Sequence, residues 1–190
     1  MQLQLLEETA QRHRWTVTAF HRLAEAGIFT EDDRIELIAG ELIETAPIGD
    51  EHAGQVNWLS NDLAYRLHQR VIVATQNPIA LGEHSNPQPD ITLLGWRDDY
   101  YRGKCPTPED VLLIIEIADT SVRYDREVKV PLYAEHRIPE VWLVDLQQRR
   151  VEVYRQPENS AYREVRHHRT GQIASSLVSE AVIDVAELFG

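Results

Sequence analysis

A chain of 190 residues with 43% hydrophobic and 26% charged side chains carries enough apolar material for a packed core, which excludes disorder over most of its length. A formal net charge of -12 excludes broad non-specific attraction to a polyanion, while leaving room for a local basic surface or for acids neutralised by a cation. Cys105 is the only cysteine, so no intrachain disulfide can form, and no signal-peptide pattern or apolar run of the roughly 18–20 residues that span a bilayer occurs; a soluble, cytoplasmic setting without a membrane partner is expected.

Taken in chain order, the opening to about Arg34 reads as helical, with Thr16 or Thr18 capping a short helix that carries Phe20, Leu23 and Ala24 and ends at Gly27. Ile35 to Glu44 is two short apolar-rich runs around Ala39-Gly40, which predicts a β-hairpin. Asp50 then caps a helix to about Gln69, whose stripe of Val56, Leu59, Leu63 and Leu67 is buried on one face, with His52 at its amino-terminal end. Strands follow at Val71–Thr75, resumed at Ile79–Leu81, then at Pro89–Leu94 and at Val111–Ala118, the last apolar enough to be covered on both faces. A helix lies between Asp125 and His136. Val141–Leu146 and Val151–Arg155 are two further strands, and the tail from Ser175 is a strand or turn leading into a short closing helix. The expected class is α/β (α+β), a central mixed sheet with helices on its faces. It forms one domain over 1–190, with 1–34 a helical extension, 35–155 the core and 156–190 a C-terminal extension.

Two carboxylates stand where burial penalises them. Glu116 interrupts the most apolar stretch of the chain and shares a strand face with Ile114 and Ala118, so it must be ion-paired, protonated or bound to a metal. Asp90 opens its strand after Pro89. If the two strands are neighbours in matching register, both carboxylates address one cation, and oxygen ligands of this kind suit Mg²⁺ or Mn²⁺. Asp125, Lys129 and Tyr133 are spaced four apart and share one face of a helix, which either presents Lys129 to the two acids or leaves an ordinary surface pair. Pro131 must lie in the first turn of that helix or kink it. Tyr133 reads as a packing residue that also hydrogen-bonds near the site.

Asp90 in PDITLL, Glu116 in LLIIEIA and Lys129 in the helix that follows resemble the PD-(D/E)XK nuclease superfamily. The hairpin with GEL, the His52 helix, the E-I-A strand before DTSVRYDREVK, and IPEVWLVD are similar to a restriction-endonuclease-like bacterial family long catalogued as a domain of unknown function. The similarity runs from about Arg34 to Tyr154. It implies a restriction-endonuclease-like core and a divalent-metal-dependent endonuclease that hydrolyses phosphodiester bonds in DNA. Asp90 and Glu116 would be ligands of Mg²⁺ or Mn²⁺ and Lys129 the catalytic cation, with a homodimer as the assembly. Glu41 is either at the rim of the same site or an exposed hairpin residue, and His52 either at that rim or a helix-end histidine with a satisfied structural hydrogen bond. The superfamily places its lysine two residues after the glutamate, where this chain has Ala118; Lys129 is the displaced replacement. The alternative is a nuclease-fold module that binds nucleic acid or a protein partner without cutting. Six arginines against three glutamates between Gln147 and Thr170 make either a basic edge for a phosphate backbone or a solvated hairpin.

Overall fold

The computed structural model describes residues 11–30, 33–45 and 49–190. Thr16 caps helix α1 (Val17–Glu25), its Oγ1 accepting from Ala19 N at 3.1 Å. The helix stops at Ala26, because Gly27 takes a left-handed φ of 71°. Among the described residues of the opening, helix is therefore confined to one short element; residues 33–34 are not helical, and residues 1–10 and 31–32 of the expected helical opening lie outside the described residues. The hairpin forms as its sequence predicts, β1 (Ile35–Ile38) against β2 (Glu41–Glu44), with Ala39 and Gly40 at φ 50° and 82° in the two-residue turn that suits strand twist.

Helix α2 (Asp50–Arg66) starts one residue earlier than expected, with Gly49 as cap and Asp50 inside the first turn, where its charge favours the helix dipole. After it come β3 (Val71–Thr75), β4 (Ile91–Gly95) and β5 (Val111–Ala118). Ile79 and Leu81 are buried but lie in a loop, tied by an isolated bridge from Leu81 to Ser85 and by the Ile79 and Ala80 amides donating to the Pro87 and Pro106 carbonyls, so β3 is not resumed there. A helical stretch in three parts follows: α3 (Val122–Tyr124), a π turn (Asp125–Lys129) and α4 (Val130–Glu135). The chain ends through β6 (Glu140–Asp145), β7 (Arg150–Glu158), β8 (Ala161–His168), β9 (Gln172–Ala174), β10 (Val182–Asp184) and α5 (Val185–Phe189).

One sheet of six strands, in the order β3-β4-β5-β6-β7-β8, holds these elements together. It is mixed: β5 and β6 run parallel and the other neighbours antiparallel. A parallel pair needs a crossover, and the helical stretch from Val122 to Glu135 supplies it. Side-chain alternation divides the core between the two sheet faces. Leu113, Ile115 and Ile117 pack with the α2 stripe, Trp142, Val144 and α5, while Ile114 and Ala118 pack with Leu143, Val130 and Tyr133. Each aliphatic side chain so buried contributes about 2 kcal/mol. Glu116 belongs to the second face, beneath the crossover helix. No helix among the described residues is long and apolar enough to cross a membrane.

Candidate active site

The register between β4 and β5 sets the first two acids. Ile91 pairs with Ile115, so Asp90, just ahead of β4, falls opposite Glu116. The Asp90 amide donates to Glu116 Oε2 at 3.3 Å, and the Ile117 amide donates to Asp90 Oδ2 at 2.9 Å. Asp90 thus extends the pairing with its side chain where the backbone ladder ends. His52 Nε2, from the first turn of α2, lies 3.0 Å from the same Oδ2, and Gln76 Nε2 donates to Oδ1 at 3.3 Å. The Gln76 amide also donates to the Asp90 carbonyl at 3.0 Å, from a residue held at φ 52°. Asp90 is clamped from three elements.

Lys129 comes from the crossover. Pro131 has no N–H and its ring crowds the carbonyl four residues back, so regular α-helix cannot continue through it. The helix widens instead: the Val130 amide reaches Asp125 O, five residues back, over a turn that spans Asp125–Lys129. The widened turn keeps Asp125 and Lys129 both buried, at 5% and 6% exposure. Lys129 Nζ donates to Glu116 Oε1 at 3.3 Å and to Glu36 Oε1 at 3.2 Å. Tyr133 donates to Glu116 Oε1 at 2.5 Å from below. Glu36 Oε1 is fixed by the Gln88 amide at 2.7 Å, while its Oε2 is buried without a hydrogen-bond partner among the described residues.

These groups meet in a cleft of about 280 Å³, lined on one side by Gly49, His52 and Asp90 and on the other by Ser121, Tyr124, Asp125 and Lys129. Its electrostatics divide the acids. Burial would push Asp90 up, but the hydrogen bond and charge of His52, the Ile117 amide and Lys129 hold it below the ordinary carboxylate range. Burial pushes Glu116 up, and Asp90, Asp125 and Glu36 push it further against the pull of Lys129. Burial raises Asp125 as well. Lys129 is desolvated, yet Glu116, Glu36, Asp125 and Asp90 together hold it charged well above its ordinary range. One ammonium faces four carboxylates, and the surplus negative charge is what a divalent cation would neutralise.

A family model described as "Uma2: Putative restriction endonuclease" matches residues 17–186. The chain belongs to the Uma2 family. Its fold is also that of a solved "putative nuclease belonging to DUF820" from Anabaena variabilis ATCC 29413, with a TM-score of 0.68 at 18% identity, covering 88% of this chain and 96% of that one. At that identity the likeness concerns the fold alone. No curated protein matches the chain. The restriction-endonuclease-like superfamily and the α/β architecture with a central mixed sheet, both expected from the sequence, are those of this Uma2 member.

The Uma2 cleft gathers Asp90, Glu116, Lys129 and His52 from four separate segments. Tyr133 lies fully buried beneath Glu116 rather than at a rim. Glu41 does not belong to the cleft: it follows the hairpin turn, its side chain is 60% exposed, and it pairs with Arg12 at 3.4 Å. The hairpin's contribution is Glu36. Like Glu116 it is a carboxylate inside an apolar strand, but it shares one hairpin face with Glu41, so strand alternation does not set the two apart. Ala118, where the superfamily carries lysine, is buried in the second core face with Leu143 and Tyr133 and does not line the cleft. The arginines of the 147–170 segment do not form a free basic edge. Arg150 pairs with Asp145 and Glu152, Arg155 with Glu140, Arg163 with Glu158 and Arg166 with Glu164. Arg149 and Arg169 donate to backbone carbonyls.

Among the described residues no three His, Cys, Asp or Glu side chains are grouped closely enough to cage a metal by themselves. Two facing carboxylates with hard oxygen donors fit Mg²⁺ or Mn²⁺, which keep several water or substrate ligands. The unpartnered Glu36 oxygen in the same cleft marks the unspent negative charge.

Proposed function

We propose that this protein is a divalent-metal-dependent endonuclease that hydrolyses phosphodiester bonds in DNA. The observation that carries the reading is the meeting of Asp90, Glu116 and Lys129, with Asp90 N 3.3 Å from Glu116 Oε2 and Lys129 Nζ 3.3 Å from Glu116 Oε1. Asp90 and Glu116 would hold Mg²⁺ or Mn²⁺. When bound, such an ion supplies Lewis acidity toward a phosphoryl oxygen and lowers the pKa of a coordinated water. The chain's own residues do the rest. The His52 and Ile117 donors keep Asp90 ionised, and together with Gln76 they orient its carboxylate. Tyr133 and the Asp90 amide fix the Glu116 carboxylate. Lys129, held charged by its carboxylates, is placed to steady negative charge developing on the scissile phosphate or to orient the attacking water. Family membership supports the reaction class, and the surplus acid in the cleft supports the cation.

Cleavage of supercoiled plasmid and labelled oligonucleotides with Mg²⁺ or Mn²⁺ tests the reading. Wild type cuts; Asp90→Ala and Lys129→Ala each lose about 10²-fold or more, the scale of removing a preorganised charged group. Variants that cut as well as wild type overturn the assignment.

A second reading is a nuclease-fold module that binds without cutting. It is favoured by the saturation of the acids: all four oxygens of Asp90 and Glu116 already accept hydrogen bonds. Calorimetric titration with Mg²⁺ separates the two, since the silent module takes up no ion at these carboxylates.

A further inference from the structure

Lys129 presents a difficulty for any cation at Glu116. The ammonium already occupies Glu116 Oε1, 3.3 Å away, and a divalent ion arriving on that carboxylate meets a fixed positive charge. The chain holds a second acceptor for the same ammonium. Glu36 Oε1 lies 3.2 Å from Nζ, pinned by the Gln88 amide at 2.7 Å, on a side chain only 6% exposed. Its other oxygen, Oε2, is buried and receives no hydrogen bond from the described residues. A lysine ammonium has three donors and the two contacts to Glu36 and Glu116 use two of them. Glu36 therefore has the vacancy to accept what Glu116 gives up.

We infer that Glu36 is a positioning residue that takes Lys129 over from Glu116 when a divalent cation engages Glu116. It keeps the ammonium beside the cation without letting it compete for the carboxylate. This rests on the metal-dependent reading above. Glu36 is suited to the task because its carboxylate has anchors of its own, apart from the Asp90 and Glu116 side chains: it rides on the β1–β2 hairpin and accepts from the Gln88 amide. The paired strand places Glu36 opposite Ile43, so the apolar hairpin face holds the carboxylate against the crossover helix.

The test is Mn²⁺ affinity of the full chain, read from free Mn²⁺ by electron paramagnetic resonance, across a cycle of wild type, Glu36→Gln, Lys129→Gln and the double variant. In Glu36→Gln the ammonium has only Glu116 to rest on, and Mn²⁺ affinity falls roughly tenfold. Removing the lysine in that background restores it, so the two substitutions are strongly non-additive. If Glu36 acts only as one more nearby negative charge, it weakens Mn²⁺ equally with and without Lys129, and an additive cycle overturns the inference. Glu36→Asp, which retains the charge, recovers most of the affinity under the inference and none of it if hairpin packing alone matters. Thermal melts confirm that each variant is folded at the assay temperature. Wild type that binds no Mn²⁺ removes the metal reading itself, together with this one; an additive cycle in a chain that binds Mn²⁺ removes this one alone.

Discussion

Lys129 joins two buried carboxylates, and breaking such an arrangement costs more than forming it returns, because the partners stay behind desolvated. Lys129→Met therefore destabilises the fold by about 3–5 kcal/mol at neutral pH. Adding Glu116→Gln to that variant recovers part of the loss, since a neutral amide needs no counter-ion; urea denaturation midpoints of the three chains measure both steps. The logic that makes Lys129 matter is what made the site readable from sequence. Glu116 sits between Ile115 and Ile117, Asp90 opens the next apolar run, and both fall in the cleft. Glu36 sits between Ile35 and Leu37 in the same way, but Glu41 is a second carboxylate of the same hairpin. Alternation could not separate them: cross-strand register puts Glu36 opposite Ile43 and Glu41 opposite Ile38, so both lie on one face of the hairpin. Only the direction in which the hairpin lies against the sheet sends Glu36 inward and leaves Glu41 with Arg12, and no local pattern encodes that direction.

At the scale of elements, the hairpin and the crossover helix are the two parts that deliver charge to the strand ends, and each depends on one backbone feature. In the hairpin it is Gly40, at φ 82°, where an added Cβ would stand 2.7 Å from Arg14 Cβ and 3.1 Å from its Cα. Arg14 cannot withdraw easily, because Trp15 N donates to the Gly40 carbonyl and Arg14 Nε to that of Ala39. Gly40→Ala costs about 2 kcal/mol from the left-handed conformation alone, and the clash adds to it. Chemical denaturation reads the loss, and because Glu36 rides on this hairpin, Mn²⁺ affinity falls with it. The turn was legible because Ala-Gly between apolar runs has few other solutions. The crossover's feature, the π turn ahead of Pro131, was legible only as a conflict between a four-residue spacing and a proline inside it. Propensity rules say that a proline disturbs a helix; they do not say that one extra residue will be absorbed in the preceding turn. β10 falls in the tail expected as a strand or turn before the closing helix, while its partner β9 escaped for a simpler reason, a three-residue strand carrying too little pattern to stand out.

At the scale of the whole molecule, the crossover helix has to be fastened to the sheet at both of its faces. On the cleft side Lys129 does this; on the far side Arg126, from the same π turn, donates to Glu152 Oε1 and Oε2 at 2.7 and 3.0 Å, across the sheet on β7. Arg150 and Tyr154 complete the shell around Glu152, which is fully buried. Arg150 is the one arginine of the 147–170 segment spent here, the other five pairing elsewhere with carboxylates or backbone carbonyls. Burial would raise the Glu152 carboxyl, but the hydrogen bonds of Arg126 and Tyr154 and the charges of Arg126 and Arg150 hold it below the ordinary range. A depressed carboxyl contributes stability that is present above its unfolded pKa, 4.5 for a free glutamate, and is lost as pH falls through the lower folded value. Wild type is accordingly expected to lose stability steeply below about pH 4.5, and Glu152→Gln to lose it less steeply. At pH 7 the variant is weaker by about 1–2 kcal/mol, the scale of charge-assisted hydrogen bonds partly screened by water at Arg126. The gap between the two curves narrows as the acid limb is descended. Thermal unfolding at half-unit steps from pH 7 to pH 3 measures it; parallel curves for wild type and variant would mean that Glu152 is held by packing rather than by its charge, and that the π turn is fastened from the cleft side alone.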